Sequence, residues 1–569
     1  MPSLVALLGV AASLAVARPS YPEDAADLLL RHGVFYPAAS PGRGLQSVRG
    51  SLAVRGGRIV YLGADAGADA LRGPATHVVE LGGRAVTPGL IDAHSHLLGL
   101  GEALEEVDLT GAPSYEEVIR RVAAAARELP AGAWVRGRGW DQNRWPGRAF
   151  PVEGPLSAAV ADHPVWLTRV DGHAALLNAR ALAALGVAPT VKDPVGGRFL
   201  RDASGAPTGV VLDKAMEGLR EKLPEPTAAD LDRRLARAGR HCLALGLTTV
   251  TDMGVTQAGY EAYERLRLRG GRDGGLPIRV ALFLADDGSL LARWFARGPE
   301  VDPEARLTVR GVKMYADGAL GSRGAALLAP YSDDPGNAGL LTSTGEHMAE
   351  VARAALEHGF QVGIHAIGDR GGRVALDAME KALGGPRPEA RFRLEHAQVL
   401  ALPDIARMAR LGIVASMQPT HATSDMGWAG DRLGPARLAG AYAWRKVKDA
   451  GGRLALGSDF PVESADPRLG LYAAVTRQDL AGLPAGGWLP GERLTRDEAL
   501  AGFTADAAWS LFLEREVGSL EVGKRADLVV FGRDPMTVAE REIPRAEVDL
   551  TLLDGRVAYD RAAGGPHAR

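Results

Sequence analysis

Eight short apolar stretches recur between residues 85 and 459: 85–96, 247–252, 278–284, 309–315, 361–365, 391–396, 413–418 and 453–459. β-Branched and small apolar residues fill them, the composition of strands covered on both faces. Between them, residues 348–358 and 402–411 carry apolar side chains at helical spacing, and Gly359 and Gly412 stand where those helices should stop. Strands alternating with helices argue for a parallel α/β sheet. Eight strands is the count for a closed (β/α)8 TIM-like barrel; an open doubly wound sheet shares the periodicity and stands as the alternative.

The rest of the chain is read around that core, a barrel over 85–504. Roughly 140 residues, 97–240, separate the first strand from the second, far more than an ordinary βα loop. They include strand-like segments of their own, 134–140 and 165–170, and read as an inserted subdomain over the barrel mouth. Residues 23–84 and 505–565 carry short strands and turns, with a hairpin signal at Gly56-Gly57. Neither piece is long enough to bury a core alone, so the two chain ends are expected to build one composite β-sandwich domain.

Residues 1–22 are read as a signal peptide or an N-terminal arm. An apolar run over 4–17 ends Ala15-Val16-Ala17. It is too short to span a membrane, and no Lys or Arg precedes it. Export, periplasmic or secreted, is favoured over a cytoplasmic location, and no membrane span is expected. The net charge is −3 and no Lys/Arg block occurs, which argues against a nucleic-acid partner. A small-molecule substrate is the expected partner, with homodimerisation left open. The single cysteine, Cys242, excludes an internal disulfide and reads as a small buried hydrophobe.

The chemistry gathers at strand ends. His94 and His96 are two apart, so on a strand they share a side and can chelate one metal ion. That pair alone is weak; one buried and one surface histidine would look the same. Lys313 in the fourth strand, His365 ending the fifth, His396 the sixth and Asp459 the eighth add four more groups. Carboxyl ends of strands are where barrel enzymes place their active sites.

In this order the residues resemble a metal-dependent hydrolase of the amidohydrolase superfamily. The words around them are Pro88-Gly-Leu-Ile-Asp-Ala-His-Ser-His96, Lys313-Met-Tyr-Ala-Asp-Gly-Ala-Leu-Gly-Ser-Arg323, His365-Ala-Ile-Gly-Asp369, Glu395-His-Ala-Gln398 and Gly457-Ser-Asp-Phe-Pro-Val-Glu463. With Gly139-Trp-Asp-Gln142 and Arg169-Val-Asp-Gly-His173 they are similar to the amidohydrolase family 3-like branch that includes N-substituted formamide deformylases. The resemblance runs from about residue 25 to about 560.

It implies hydrolysis of a non-peptide C–N bond, amide or formamide-like, by metal-activated hydroxide. His94, His96 and Asp459 would hold the more buried of two divalent ions, zinc being expected, and His365 and His396 the other. Lys313, carboxylated, would bridge them. Asp459 would be the catalytic proton carrier. A cyclic amide, carbamate or ester hydrolase on the same site is the alternative, and a non-catalytic scaffold on the same fold the remote one. For Lys313 the alternative is an ordinary pair with Asp317 and a single metal.

Trp140, Asp171, His173, Arg323, Gln418 and His421 are the expected substrate-binding residues. Set against that, Trp140 with Trp145 also reads as packing, Asp171 with His173 as a structural pair, and Arg323 as a partner of the loop backbone. Gly518 to Lys524 fits a phosphate-loop spacing, but Arg525 stands where Ser or Thr is required, so it reads as a turn.

Overall fold

The computed structural model describes residues 25–37, 46–142, 145–169, 174–194, 197–270 and 275–564. Residues 1–22, read as a signal peptide or N-terminal arm, lie outside the described residues.

The eight expected strands are present: β1 (Leu90–Ser95), β2 (Leu247–Val255), β3 (Arg279–Ala285), β4 (Leu307–Tyr315), β5 (Gln361–Ala366), β6 (Arg393–His396), β7 (Val414–Met417) and β8 (Leu454–Leu456). Each pairs in parallel with the next in chain order. Past β8 the backbone turns onto β1, where the Asp459 amide donates to the His94 carbonyl (2.7 Å) and the His96 amide to the Phe460 carbonyl (2.9 Å). These bonds nearly close the ring into a TIM-like barrel and rule out the open sheet. Helices Gly345–Glu357 and Leu402–Leu411 stop at Gly359 and Gly412, both left-handed (φ 83° and 75°), a conformation glycine adopts without a Cβ penalty.

One boundary differs from the sequence reading. Residues 85–96 are not one strand. Ala85–Pro88 pairs with Leu528–Phe531 and with the end of Leu28–Phe35, outside the barrel. The break falls at Gly89, where a Cβ would lie 2.1 Å from Thr248 Oγ1.

Strands from both chain ends join in one sheet: Leu28–Phe35, Val48–Arg55, Arg58–Gly63, His77–Glu80 and Ala85–Pro88 with Leu528–Phe531, Val548–Leu553 and Arg556–Asp560. Leu30, Leu52, Val86, Leu528 and Leu552 share its apolar core, so neither end is buried without the other. The Gly56-Gly57 turn is the expected two-residue hairpin, with φ of 57° and 76°. Lys524 Nζ donates to Ser519 Oγ (2.5 Å) in the turn ahead of Leu528–Phe531.

Between β1 and β2 the chain forms a separate six-stranded sheet that includes Val135–Trp140 and Val165–Arg169, with its own apolar clusters. Helix Ala228–Ala244, opened by a Thr227/Asp230 capping box, carries the chain back to the barrel. Among the described residues no helix is long and apolar enough to cross a membrane.

Candidate metal centre

The carboxyl ends of β1, β4, β5, β6 and β8 bring six groups together. His94 ends β1 fully buried, and its Nδ1–H donates to Glu395 Oε2 (2.6 Å). This leaves the Nε2 lone pair as the acceptor for Lys313 Nζ (3.3 Å), with Asp459 Oδ1 3.6 Å away. His96 donates from Nδ1 to the Met253 carbonyl (3.1 Å), and its Nε2 lies 3.2 Å from Asp459 Oδ1. His396 donates from Nδ1 to Gln418 Oε1 (2.9 Å). Its ring centroid lies 4.5 Å from those of both His94 and His365. Ligand-capable atoms of His94, His396 and Asp459 all lie within 4.8 Å of one another.

Burial sets the protonation of this cluster. It pushes His94 down to about 4 and His365 to about 3, helped in both by the Lys313 charge, and it holds His396 well below the ordinary imidazole value. Burial also lowers Lys313 to about 8, against the pull of Glu395 and Asp459. It would raise Asp459, but the His96 hydrogen bond and the neighbouring imidazoles outweigh it and take the carboxyl to about 2. His96 goes the other way: burial opposes its charge, and the bond to Asp459 overcomes that and raises it.

Neutral imidazoles beside an ionised carboxylate are the donor set a divalent cation takes. Among the described residues, His365 Nε2 is buried with no hydrogen-bond partner, Asp317 Oδ1 lying 3.7 Å away, and such a polar atom is of the kind a ligand satisfies. The residues therefore fit a metal ion.

The family comparison agrees with this geometry. A family model described as an amidohydrolase family matches residues 77–559. The chain belongs to the amidohydrolase family. Protein LONG AFTER FAR-RED 3 of Arabidopsis thaliana is 34% identical over 555 residues, covering 94% of this chain and 92% of that protein. The N-substituted formamide deformylase of Arthrobacter pascens is 30% identical over 524 residues, covering 89% and 94%. Among solved structures, a metal-dependent hydrolase from Pyrococcus furiosus described as uncharacterized matches with a TM-score of 0.75 at 30% identity, covering 90% of this chain and 100% of that one.

In this amidohydrolase, Lys313 does not pair with Asp317. That carboxylate accepts instead from the amides of Ala326 (2.9 Å), Ile367 (2.9 Å) and Gly368 (2.8 Å), and pins the loop after β4 to the end of β5. Gln418 and His421 do reach the cluster, Gln418 through His396 and His421 with Nε2 3.6 Å from Asp459 Oδ2. Arg323 does not: its guanidinium is neutralised by Asp333 (3.2 and 3.0 Å). Trp140 is also corrected. It is buried in the core of the insertion, its Nε1–H donating to the Leu167 carbonyl (2.8 Å), because a fully enclosed indole needs an internal acceptor. Asp171 and His173 lie outside the described residues.

Four residues of the amidohydrolase site were given no role in the sequence reading, three of them although they stand in its motifs. Arg393 and Glu395 form a wholly buried pair (Nε to Oε1 2.8 Å) beneath His94, and Arg393 lies 4.8 Å from the Phe283 ring centroid. The pair outweighs the burial penalty on Glu395 and holds its carboxyl far below the usual range. Opposite charges two apart on an otherwise apolar strand were the available signal. Alternation hides the partnership of Glu395 with His396, since neighbours on a strand face apart. His396 takes φ 68°, which breaks the alternation and turns its ring inward too. Tyr315 Oη faces Gly254, and its ring centroid lies 5.0 Å from Lys313 Nζ. Gln398 contacts His421.

Proposed function

We propose that this amidohydrolase cleaves a non-peptide C–N bond of a small molecule, amide or formamide-like. The observation that carries the reading is the convergence of His94, His396 and Asp459 beside a buried Lys313 at the barrel mouth. The similarity to an N-substituted formamide deformylase along most of both chains supports the bond type.

His94, His96 and Asp459 would hold one divalent ion and His365 and His396 a second, with zinc the expected metal. Bound there, the metal polarises a carbonyl and lowers the pKa of water. Burial keeps part of the Lys313 amine unprotonated near neutrality. Were that amine to add to carbon dioxide, forming an N–C bond and releasing a proton, the carbamate of Lys313 would supply two further anionic oxygens to hold the metal. Asp459, ionised and reaching toward both His96 and His421, takes a proton from the attacking water and delivers it to the leaving nitrogen. The segment 97–240 contributes none of these groups, and its role in this reading is to shape substrate choice.

The test is metal analysis joined to a substrate panel of N-alkyl and N-aryl formamides, open and cyclic amides, carbamates and esters. The expected result is two metal ions per chain and preferential release of formate and amine. Turnover confined to esters would overturn the bond assignment, and turnover confined to cyclic amides would overturn the open, formamide-like substrate. Lys313→Ala is expected to bind fewer ions and lose activity, with partial rescue by a small carboxylic acid. Full activity with one ion per chain would overturn the two-ion centre.

A further inference from the structure

Among the described residues, His421 holds a hydrogen-bond donor that meets no acceptor. It lies in helix Pro419–Asp425 after β7 and is 7% exposed. Gln398 Nε2 donates to its Nδ1 at 2.9 Å. With the Gln398 amide in this orientation, its Oε1 buried without a partner among the described residues, Nδ1 keeps its lone pair and the imidazole proton sits on Nε2. That Nε2 is buried and unpartnered. Asp459 Oδ2, at 3.6 Å, is beyond hydrogen-bond range.

The contact is braced from both sides. His396 and Ala397 adopt consecutive left-handed conformations (φ 68° and 45°), which carry strain in non-glycine residues and turn the chain into Gln398. The Tyr442 amide donates to the Gln398 carbonyl (2.6 Å), while the Tyr442 hydroxyl donates to Asp425 Oδ2 (2.5 Å) in the helix that carries His421. Arg477 in turn donates to the Tyr442 carbonyl (3.0 Å). One tyrosine thus fixes both partners.

We propose that the His421 Nε2–H is the hydrogen-bond donor to the carbonyl oxygen of the bound substrate, with Gln398 the positioning residue that sets its tautomer. The proposal rests on the reading of the site as a C–N hydrolase. A nitrogen carrying a proton cannot accept, so its partner is an oxygen with a free lone pair. As water adds to the carbonyl carbon, charge grows on that oxygen, and a fixed N–H strengthens its hold as the charge develops.

The experiment uses the metal-loaded full chain. Histidine ¹⁵N spectra report the His421 tautomer, acetate serves as an oxygen-acceptor probe, and formate release from formanilide reports turnover. In the wild type the His421 proton is expected on Nε2, and acetate shifts that resonance. Gln398→Glu replaces the donor by an acceptor; it is expected to move the proton to Nδ1 and lower kcat by about a hundredfold, with KM and metal content held within about threefold. His421→Gln, which retains an N–H, is expected to keep about tenfold more activity than His421→Ala. A wild-type proton on Nδ1, an acetate-insensitive resonance, or Gln398→Glu turnover within about twofold of wild type each overturns the proposal. If the wild type releases no formate while the tautomer and acetate response are as expected, the formamide reading fails and the donor assignment stands.

Discussion

In the proposed reaction Asp459 meets two demands at once: it stays ionised beside the donor set and still exchanges a proton with substrate. Its backbone is left-handed at φ 64°, with the amide tied to the His94 carbonyl, so the carboxylate is aimed by the closure of the barrel itself. Asp459→Asn is expected to fold and keep most of its metal while kcat falls by about a hundredfold or more, the scale of losing a positioned acid–base group. Turnover within a few-fold of wild type at an unchanged pH optimum would remove it as the proton carrier. Glu395 acts one step further out, by fixing which His94 nitrogen keeps its lone pair. Glu395→Gln leaves that ring without its charged acceptor and is expected to weaken metal affinity about 10–100-fold, read by chelator competition. Unchanged affinity would assign the pair to packing alone.

Among the elements, those around the site depend on local devices that place side chains rather than on strand length. β8 has three residues, yet the turn after it carries Asp459 and the bonds to β1. Further along the chain, helix Arg496–Gly502 has a Thr495/Glu498 capping box, with Arg445 bonded to Glu498 (2.9 Å). Burial would raise Glu498, but Arg445 and the cap hold it at about 2, below its ordinary 4.5. A depressed carboxyl stabilises the fold above its unfolded pKa, and that contribution fades as pH falls through the folded one. Glu498→Gln is therefore expected to cost about 1–2 kcal/mol at pH 7. The difference in unfolding free energy should shrink from pH 4.5 downward and be nearly gone by about 2. A difference constant over that range would show that the charge contributes nothing.

Across the whole molecule, the barrel and the terminal sheet are joined by buried charge. Arg279, fully enclosed at the start of β3, donates to both oxygens of Asp527 (2.6 and 3.1 Å) and also pairs with Asp554. Arg306 and Arg525 complete the group around Asp554. Removing one member of a buried pair leaves an uncompensated charge, so Arg279→Met is expected to cost about 3–5 kcal/mol. Urea unfolding measures that loss, and hydrogen exchange in Leu528–Phe531 should quicken before exchange in the barrel strands. Uniform loss of protection would mean that the seam is no weaker than the core.

Periodicity and local chemistry determined a parallel α/β sheet, because strands buried on both faces must be continuously apolar and their helices must stop at residues such as Gly359 and Gly412; its near-closure into a barrel was decided by the bonds between the turn after β8 and β1. The ordered residues from His94 to Asp459 likewise located the metal-binding end, since strand ends are marked in the chain by where apolar runs stop. Tertiary structure alone decided the partnerships. Strand alternation could not show that Glu395 and His396 face the same cluster, because a left-handed turn at His396 undoes it. Nor could it show that Ala85–Pro88 leaves the barrel for a strand more than four hundred residues away. Composition could not distinguish the packing of Trp140 from a role in binding, or reveal that Arg323 is already matched by Asp333. The sequence specifies which groups each strand carries to its end; which of their atoms remain unpaired depends on neighbours that only the folded chain brings within reach.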